Sequence, residues 1–476
     1  MIKPLVLVLV VSLLLACNDE QESISNTVAE PEVNLVFPDL TQTRLLSDEE
    51  LRTPELDPAP SPNEQYLNWT KENHYKLRSL IYDDDFSDLI FLDEMLEGKR
   101  IVQLGESTHG SREFNQAKVR LIKYMHQKLD YKVIAFESSL VGCHIQNKSV
   151  AQITAREATM GCIFSVWYTK EVEELFDYII QSHKTDNPLL LAGFDIQISG
   201  QSDTIENYQM LFERVVSNYD PDAWLEFKLS VKSFFDMRQA HLECNSRNIT
   251  SSCDHFNQYL DDSLLLLQQL ESFLYSHVML KAKTVADELA RDSRLALLAA
   301  RSMQEFLKQM DAGKGIKSSN IRDHGMATNL TALAERIYPS EKIIAWAHNG
   351  HIATDTYNNR QWLLMGQHLK SHWQDELYTL GFYMIRGQHA DNSGKTLAIS
   401  TNHKDDSLES VAYGLRTAAA YIPFAPEDQQ SLGDDWLHQP FVSKSWGTND
   451  ISMVLGKAYD AVIVIDHSQA PEFLSK

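Results

Sequence analysis

The sequence predicts an α/β protein: a central, mainly parallel sheet flanked by helices, with a large all-helical insertion. Three observations predict it. Short apolar runs alternate with helical stretches from about residue 70 onward. Most of these runs are nearly continuous rather than alternating, as strands buried on both faces of a parallel sheet require. Residues 201–312 contain no glycine and a single proline, Pro221, and are dense in leucine. Such a composition reads as a helical hairpin or small bundle packed over the sheet.

The chain of 476 residues is 43% hydrophobic and 23% charged, enough to bury a large core. Lys plus Arg is 43 and Asp plus Glu is 66, a formal charge of −23. That balance argues against a nucleic acid or an anionic membrane surface as the main partner, because both are repelled. It suits an uncharged or cationic small-molecule substrate.

Residues 1–17 read MIKPLVLVLVVSLLLAC. Lys3 supplies a positive start, and the apolar stretch from Pro4 to Ala16 is shorter than the roughly 20 residues that span a bilayer. This is a signal peptide. Leu14-Leu15-Ala16-Cys17 resembles a bacterial lipobox, which makes Cys17 the lipidated first residue of the mature protein and its anchor the only membrane contact. Asn18 follows where an inner-membrane lipoprotein typically has Asp, so the expected location is the outer membrane, facing the periplasm. Residues 18–65 are acidic and hold six of the fourteen prolines. Proline at that density prevents regular structure, so this segment reads as a tether between anchor and body. The catalytic body then covers 66–476. Cys143, Cys162, Cys244 and Cys253 remain, an even number in an exported protein, and proximity favours Cys143–Cys162 and Cys244–Cys253 as disulfides.

The predicted strands are Arg100–Leu104, Lys132–Phe136, Leu189–Phe194, Lys342–Ala347, Leu377–Phe382 and Ala461–Ile465. After the first, Phe114, Ala117, Leu121, Met125 and Leu129 form a stripe at helical spacing. Strand, helix, strand is a βαβ unit. Open α/β sheets bind ligands beyond the carboxyl ends of their strands. Four of the predicted strands end there in Glu106 and His109, in Glu137, in Asp195, and in His348 and His351. Titratable groups gathered at one sheet edge are what acid–base or metal-assisted hydrolysis requires.

GESTHGSREF at 105–114, IAFE at 134–137, AGFDIQ at 192–197, RDHGMATN at 322–329 and IAWAHNGH at 344–351 together resemble the erythromycin esterase family, over roughly residues 90–470. Gly350 stands where many relatives have Ala. The resemblance implies a hydrolase that attacks an ester or lactone with water, macrolide ring opening being one possible substrate reaction. It puts the catalytic histidine on His109 and its supporting carboxylates on Glu106 and Glu137. The histidine pair falls on His348 and His351, and the arginine of the RD motif on Arg322.

The residues read alone agree. A neutral imidazole at a strand–helix turn can take a proton from water near neutral pH. Glu137 or Glu106 can orient that ring, and His348 or Arg322 can stabilise an oxyanion. His351, Arg322 and Asp195 are the candidate substrate contacts. No cofactor is expected, but a divalent metal stays open, because Glu106, His109, His348 and His351 could supply zinc ligands. A serine nucleophile at Ser107 or Thr108 lacks the G-x-S-x-G elbow. A cleft that binds a small molecule without turning it over is the remaining alternative.

Overall fold

The computed structural model describes Leu56 and residues 59–198, 200–247, 249–281, 287–356, 361–424 and 433–475. The chain divides into Met1–Gln42 and Thr43–Lys476, and all described residues belong to the second unit. The segment read as a signal peptide, Cys17 and most of 18–65 lie outside them.

Eleven strands are described: β1 Tyr75–Lys76, β2 Ile101–Leu104, β3 Tyr131–Ser139, β4 Leu190–Asp195, β5 Lys342–Trp346, β6 Leu377–Ala390, β7 Thr396–Ala398, β8 Ala419–Pro423, β9 Pro440–Ser445, β10 Asn449–Val454 and β11 Ala461–Ser468. All six predicted strands are among them. The main sheet runs β1-β8-β11-β6-β2-β5-β3-β4, with β7 paired to the end of β6. From β11 to β4 every neighbouring pair is parallel, whereas β8 and β1 add an antiparallel edge. Strands β9 and β10 form a separate two-stranded hairpin.

Alternate residues of the central strands feed two apolar layers. Ile101, Val133, Ala135, Ile343 and Ala345 enter one, and Val102, Ile134, Phe136, Ile344 and Trp346 the other. This two-sided burial explains why the runs read as continuous rather than alternating. The first layer also receives Phe212, Phe234, Leu267, Leu270, Leu298 and Leu307, from the helices Ile205–Tyr219, Ala223–Arg247, Thr250–Lys281 and Asp287–Asp311. Those four helices occupy the range predicted as the insertion. A helix, Glu64–Glu72, already begins inside the stretch read as tether, with the Asn63 side chain capping it. Just before it, the Ser61 N–H bonds Asp405 and the Leu56 N–H bonds the Tyr413 hydroxyl, so this end of the segment is fastened to the body.

The connectivity places the site. The chain leaves β2 for β3 and β4 on one side, returns to β5 between β2 and β3, and then crosses to β6 on the other side of β2. The direction of winding reverses around β2 and β5, and such switch points open a crevice at the carboxyl ends of the strands. Two glycines keep the strands and turns close here. A Cβ on Gly105 would lie 2.0 Å from Asn349 Oδ1, and one on Gly193 would lie 2.2 Å from the Ser139 carbonyl. Asn349 Nδ2 in turn donates to the Phe382 carbonyl at 3.0 Å, tying the turn after β5 to β6.

Candidate active site

The turn after β2 carries Glu106 and His109, and Ser111 then caps the helix Arg112–Lys128. Glu106 is fully buried and accepts three bonds. His109 Nδ1–H donates to Oε1 at 2.6 Å, Trp167 Nε1–H donates to the same oxygen at 2.8 Å, and Lys118 Nζ binds Oε2. With Nδ1 committed as the donor, the neutral His109 ring has its lone pair on Nε2, which makes no hydrogen bond among the described residues. Lys118 is buried too, with Nζ 4.1 Å from the centre of the Trp346 ring. Burial pushes its pKa down to about 8, against the pull of Glu106.

Glu137 occupies an irregularity of β3. Its pairing with β4 shifts register between Phe136 and Ser139, and a bulge of this kind re-aims a side chain. One oxygen accepts the His348 backbone N–H at 2.9 Å, and the other accepts Arg322 at 2.7 Å and faces His351 Nε2 at 3.4 Å. Burial opposes its charge, but His351, Arg322 and His109 more than offset burial and hold its pKa at about 2.

Arg322 comes from the helix Ile316–Ala332 and bonds Asp195, the last residue of β4, through Nε at 3.1 Å and a terminal nitrogen at 2.5 Å. Its other terminal nitrogen meets His351 Nε2 at 3.2 Å. Burial disfavours the cation, yet Asp195 and Glu137 hold it charged. His351 Nδ1 meets Asp323 at 2.8 Å. Burial works against its charge as well, but Asp323 and Glu137 raise its pKa above the usual histidine value.

His348 caps the short helix Asn349–Ile352, its Nδ1 accepting the Gly350 N–H at 2.9 Å. The neutral ring therefore has its proton on Nε2, a buried atom with no well-formed hydrogen bond. Burial, then the neighbouring His109 and His351, drive its pKa well below the usual value, although Glu137 and the Ser107 backbone favour its charged form. The His109 and His348 ring centres lie 5.1 Å apart.

The structure brings together Glu106, His109, Glu137, Asp195, Arg322, His348 and His351 at the carboxyl edge of the sheet, and it separates the two carboxylates offered as partners of His109. Glu106, not Glu137, holds the His109 ring. Asp195 and Arg322 pair with each other, and Arg322 also bonds Glu137 and meets His351. Neither hydroxyl of the turn bonds His109. Ser107 Oγ is buried without a partner, and Thr108 Oγ1 meets His389 at 3.2 Å. Among the described residues, no three His, Cys, Asp or Glu side chains converge so as to hold a metal ion.

Sequence reasoning missed Lys118, Trp167, Asp323 and Trp446. Two of these left a signal: Lys118 falls within the apolar stripe of its helix, one position after Ala117 and three before Leu121, and Asp323 follows Arg322 in RDHGMATN. Cys143 is joined to Cys162 and Cys244 to Cys253. The first link ties the helix Leu140–Ser149, which follows β3, to the helix Ala155–Cys162. The second joins the ends of two insertion helices.

A family model described as "Erythromycin esterase" matches residues 126–468. The chain belongs to the erythromycin esterase family. The matched span includes Glu137, Asp195, Arg322, His348 and His351, and begins after the turn that carries Glu106 and His109. Among relatives, "Putative hydrolase YbfO" of Bacillus subtilis (strain 168) is 31% identical over 399 residues, covering 80% of this chain and 86% of that protein. "Erythromycin esterase type II" of Escherichia coli is 21% identical over 433 residues, covering 86% of this chain and 99% of that protein. The fold is shared with a Bacillus cereus protein of known crystal structure, at a TM-score of 0.72 and 18% identity, covering 87% of this chain and all of that one. Family membership identifies the protein as a hydrolase.

Proposed function

We propose that this hydrolase cleaves an ester or lactone with a water molecule activated by His109. One observation carries the reading: a histidine whose Nδ1–H is held by a buried carboxylate, leaving Nε2 free, beside a second histidine whose buried Nε2–H faces the Ser107 backbone without a well-formed hydrogen bond. In the reaction, water gives a proton to His109 Nε2 as its oxygen bonds the acyl carbon. The carbonyl oxygen becomes an oxyanion and accepts a hydrogen bond from His348 Nε2–H. Collapse breaks the acyl carbon–oxygen bond, and imidazolium His109 returns the proton to the departing alkoxide. Glu106 stabilises the imidazolium in between, as the third member of a catalytic triad does. The products are a carboxylic acid and an alcohol, or one hydroxy acid from a lactone. A relative named as an erythromycin esterase makes macrolide lactones reasonable first substrates.

The test is mass spectrometry of macrolides, simple lactones and activated esters incubated with pure protein. A gain of one water that disappears in His109→Ala is expected, and turnover that survives this change removes the mechanism. Turnover is also expected to survive exhaustive chelation, and its loss would favour a metal held by Glu106, His109, His348 and His351.

We place the enzyme on the cell envelope through lipid on Cys17, outer membrane facing the periplasm. The support is the apolar run of residues 4–16 ending in Leu14-Leu15-Ala16-Cys17, with Asn18 next. Metabolic labelling with a fatty acid is expected to mark the protein, and to fail in Cys17→Ser.

A further inference from the structure

The hairpin of β9 and β10 turns through Trp446, Gly447 and Thr448, and Trp446 has φ +54°. Left-handed backbone is uncommon for a residue with a bulky side chain and persists only where its surroundings enforce it. Here the Trp446 N–H donates to the Ser107 carbonyl at 2.9 Å, within the turn that carries His109. The Gly447 carbonyl accepts the Ser400 N–H at 2.8 Å. Just before the turn, buried Glu409 accepts the Ser443 hydroxyl and the Lys444 N–H, each at 2.8 Å. The strained turn is therefore held from both sides.

The indole packs against both histidines, which also face each other with ring centres 5.1 Å apart. It stacks on His348 with ring centres 5.2 Å apart and planes 25° from parallel, and it meets His109 edge-on at 5.4 Å and 79°. Besides this stack, the His348 ring has one well-formed hydrogen bond, from the Gly350 N–H to Nδ1, and it faces the Ser107 backbone. A single hydrogen bond leaves an imidazole free to tilt about that bond, whereas a stacked face removes this freedom. The indole also covers ring surface that water would otherwise reach.

We propose that Trp446 is a positioning residue for His348: its ring, set in left-handed backbone, locks the imidazole with Nε2–H on the side of the His109 turn and keeps water off it. Its effect on turnover rests on the hydrolytic reading above; its effect on the His348 ring does not. The charged and titratable groups that face His348 are His109 from the turn after β2, Glu137 from β3 and His351 from its own turn. None of these is altered by substitution at 446.

The experiment compares Trp446→Gly and Trp446→Phe with the unaltered full chain. Glycine accepts the left-handed φ and keeps the N–H bond to Ser107, so it removes only the ring. Phenylalanine restores an aromatic face. Histidines labelled with ¹⁵N are followed between pH 5 and 8.5, with His348 assigned from the signal lost in His348→Asn. In the unaltered chain, Nδ1 is expected to stay unprotonated and Nε2 protonated throughout. In Trp446→Gly, His348 is expected to titrate closer to the ordinary histidine value of about 6.5. The melting temperature is expected not to fall, and kcat on any hydrolysed ester to drop tenfold or more with a smaller change in KM. Trp446→Phe is expected to restore most of both. An unchanged His348 titration in Trp446→Gly overturns the proposal. The histidine spectra decide it whether or not an ester is turned over, and absence of turnover in the unaltered chain counts only against the hydrolase reading.

Discussion

Two buried glutamates, one from the turn after β2 and one from β3, face the same crevice and are used in opposite ways. Glu106 has one ammonium, one indole N–H and one imidazole, and that imidazole keeps a nitrogen free. Glu137 has a guanidinium, a backbone N–H and a nearby histidine, and each of these is also engaged elsewhere or fixed in the chain. Around Glu106 the network ends in an open base. Around Glu137 it closes on itself through Arg322, Asp195, His351 and Asp323. Burial and charge alone do not separate a chemical carboxylate from a structural one; what separates them is whether the last partner has an unused atom.

The sharpest way to break this contrast is at the two histidines. His109→Ala is expected to lower kcat by roughly 10²–10⁴, the usual worth of a positioned base, with the melting temperature little changed. His348→Ala is expected to cost about 10²–10³ in kcat, as loss of one oxyanion donor does, again as read from steady-state kinetics. Equal and small losses in both would mean that neither network is chemical.

Glu137→Gln tests the closed network. Removing one charge from a buried pair typically costs about 3–5 kcal/mol, so denaturant unfolding should show a loss of that order at pH 7. The sign with pH is fixed. The folded pKa of about 2 lies below the ordinary glutamate value, so Glu137 stabilises the fold above that ordinary value, and the contribution is lost as pH falls toward 2. The gap between unaltered chain and Glu137→Gln should therefore close in acid. Lys118→Met removes the cation on the open side. It is expected to reduce kcat further than it reduces stability, because Met fills the apolar space while Glu106 loses its ammonium. In the unaltered chain, Lys118 releases its proton from about pH 8 upward, so activity should decline there, and Lys118→Met should lack that limb.

The smallest effect is expected at the remote disulfide. Cys244→Ser with Cys253→Ser opens a link of sequence separation 9 between insertion helices, far in the chain from every site residue named. A loss of about 2–3 kcal/mol in stability with unchanged kcat is the expected result.

The strands β2 to β6 and β11 were legible because burial on both faces leaves continuous runs of β-branched and aromatic residues. Strands β1 and β7 have two and three residues, too few for any period to register. The hairpin of β9 and β10 mixes serine, lysine and asparagine with its apolar residues, so it reads as loop. The site was legible where polar residues directly follow a strand, as at Glu106, His109, Asp195 and His348. It was illegible where function depends on a residue type that usually means something else. Trp167 and Trp446 are of a type that usually means core, and Lys118 of a type that usually means helix surface, although its place in the apolar stripe points inward. The split between Glu106 and Glu137 depends on which partner reaches which oxygen, and that is set by packing.

The four helices between Ile205 and Asp311 pack onto one face of the sheet yet supply none of the acid–base groups named here. The clustered acid–base groups and this helical layer thus come from separate stretches of chain. The helices between Ile205 and Asp311 can therefore change in length or sequence without moving any of the side chains gathered at the carboxyl edge of the sheet.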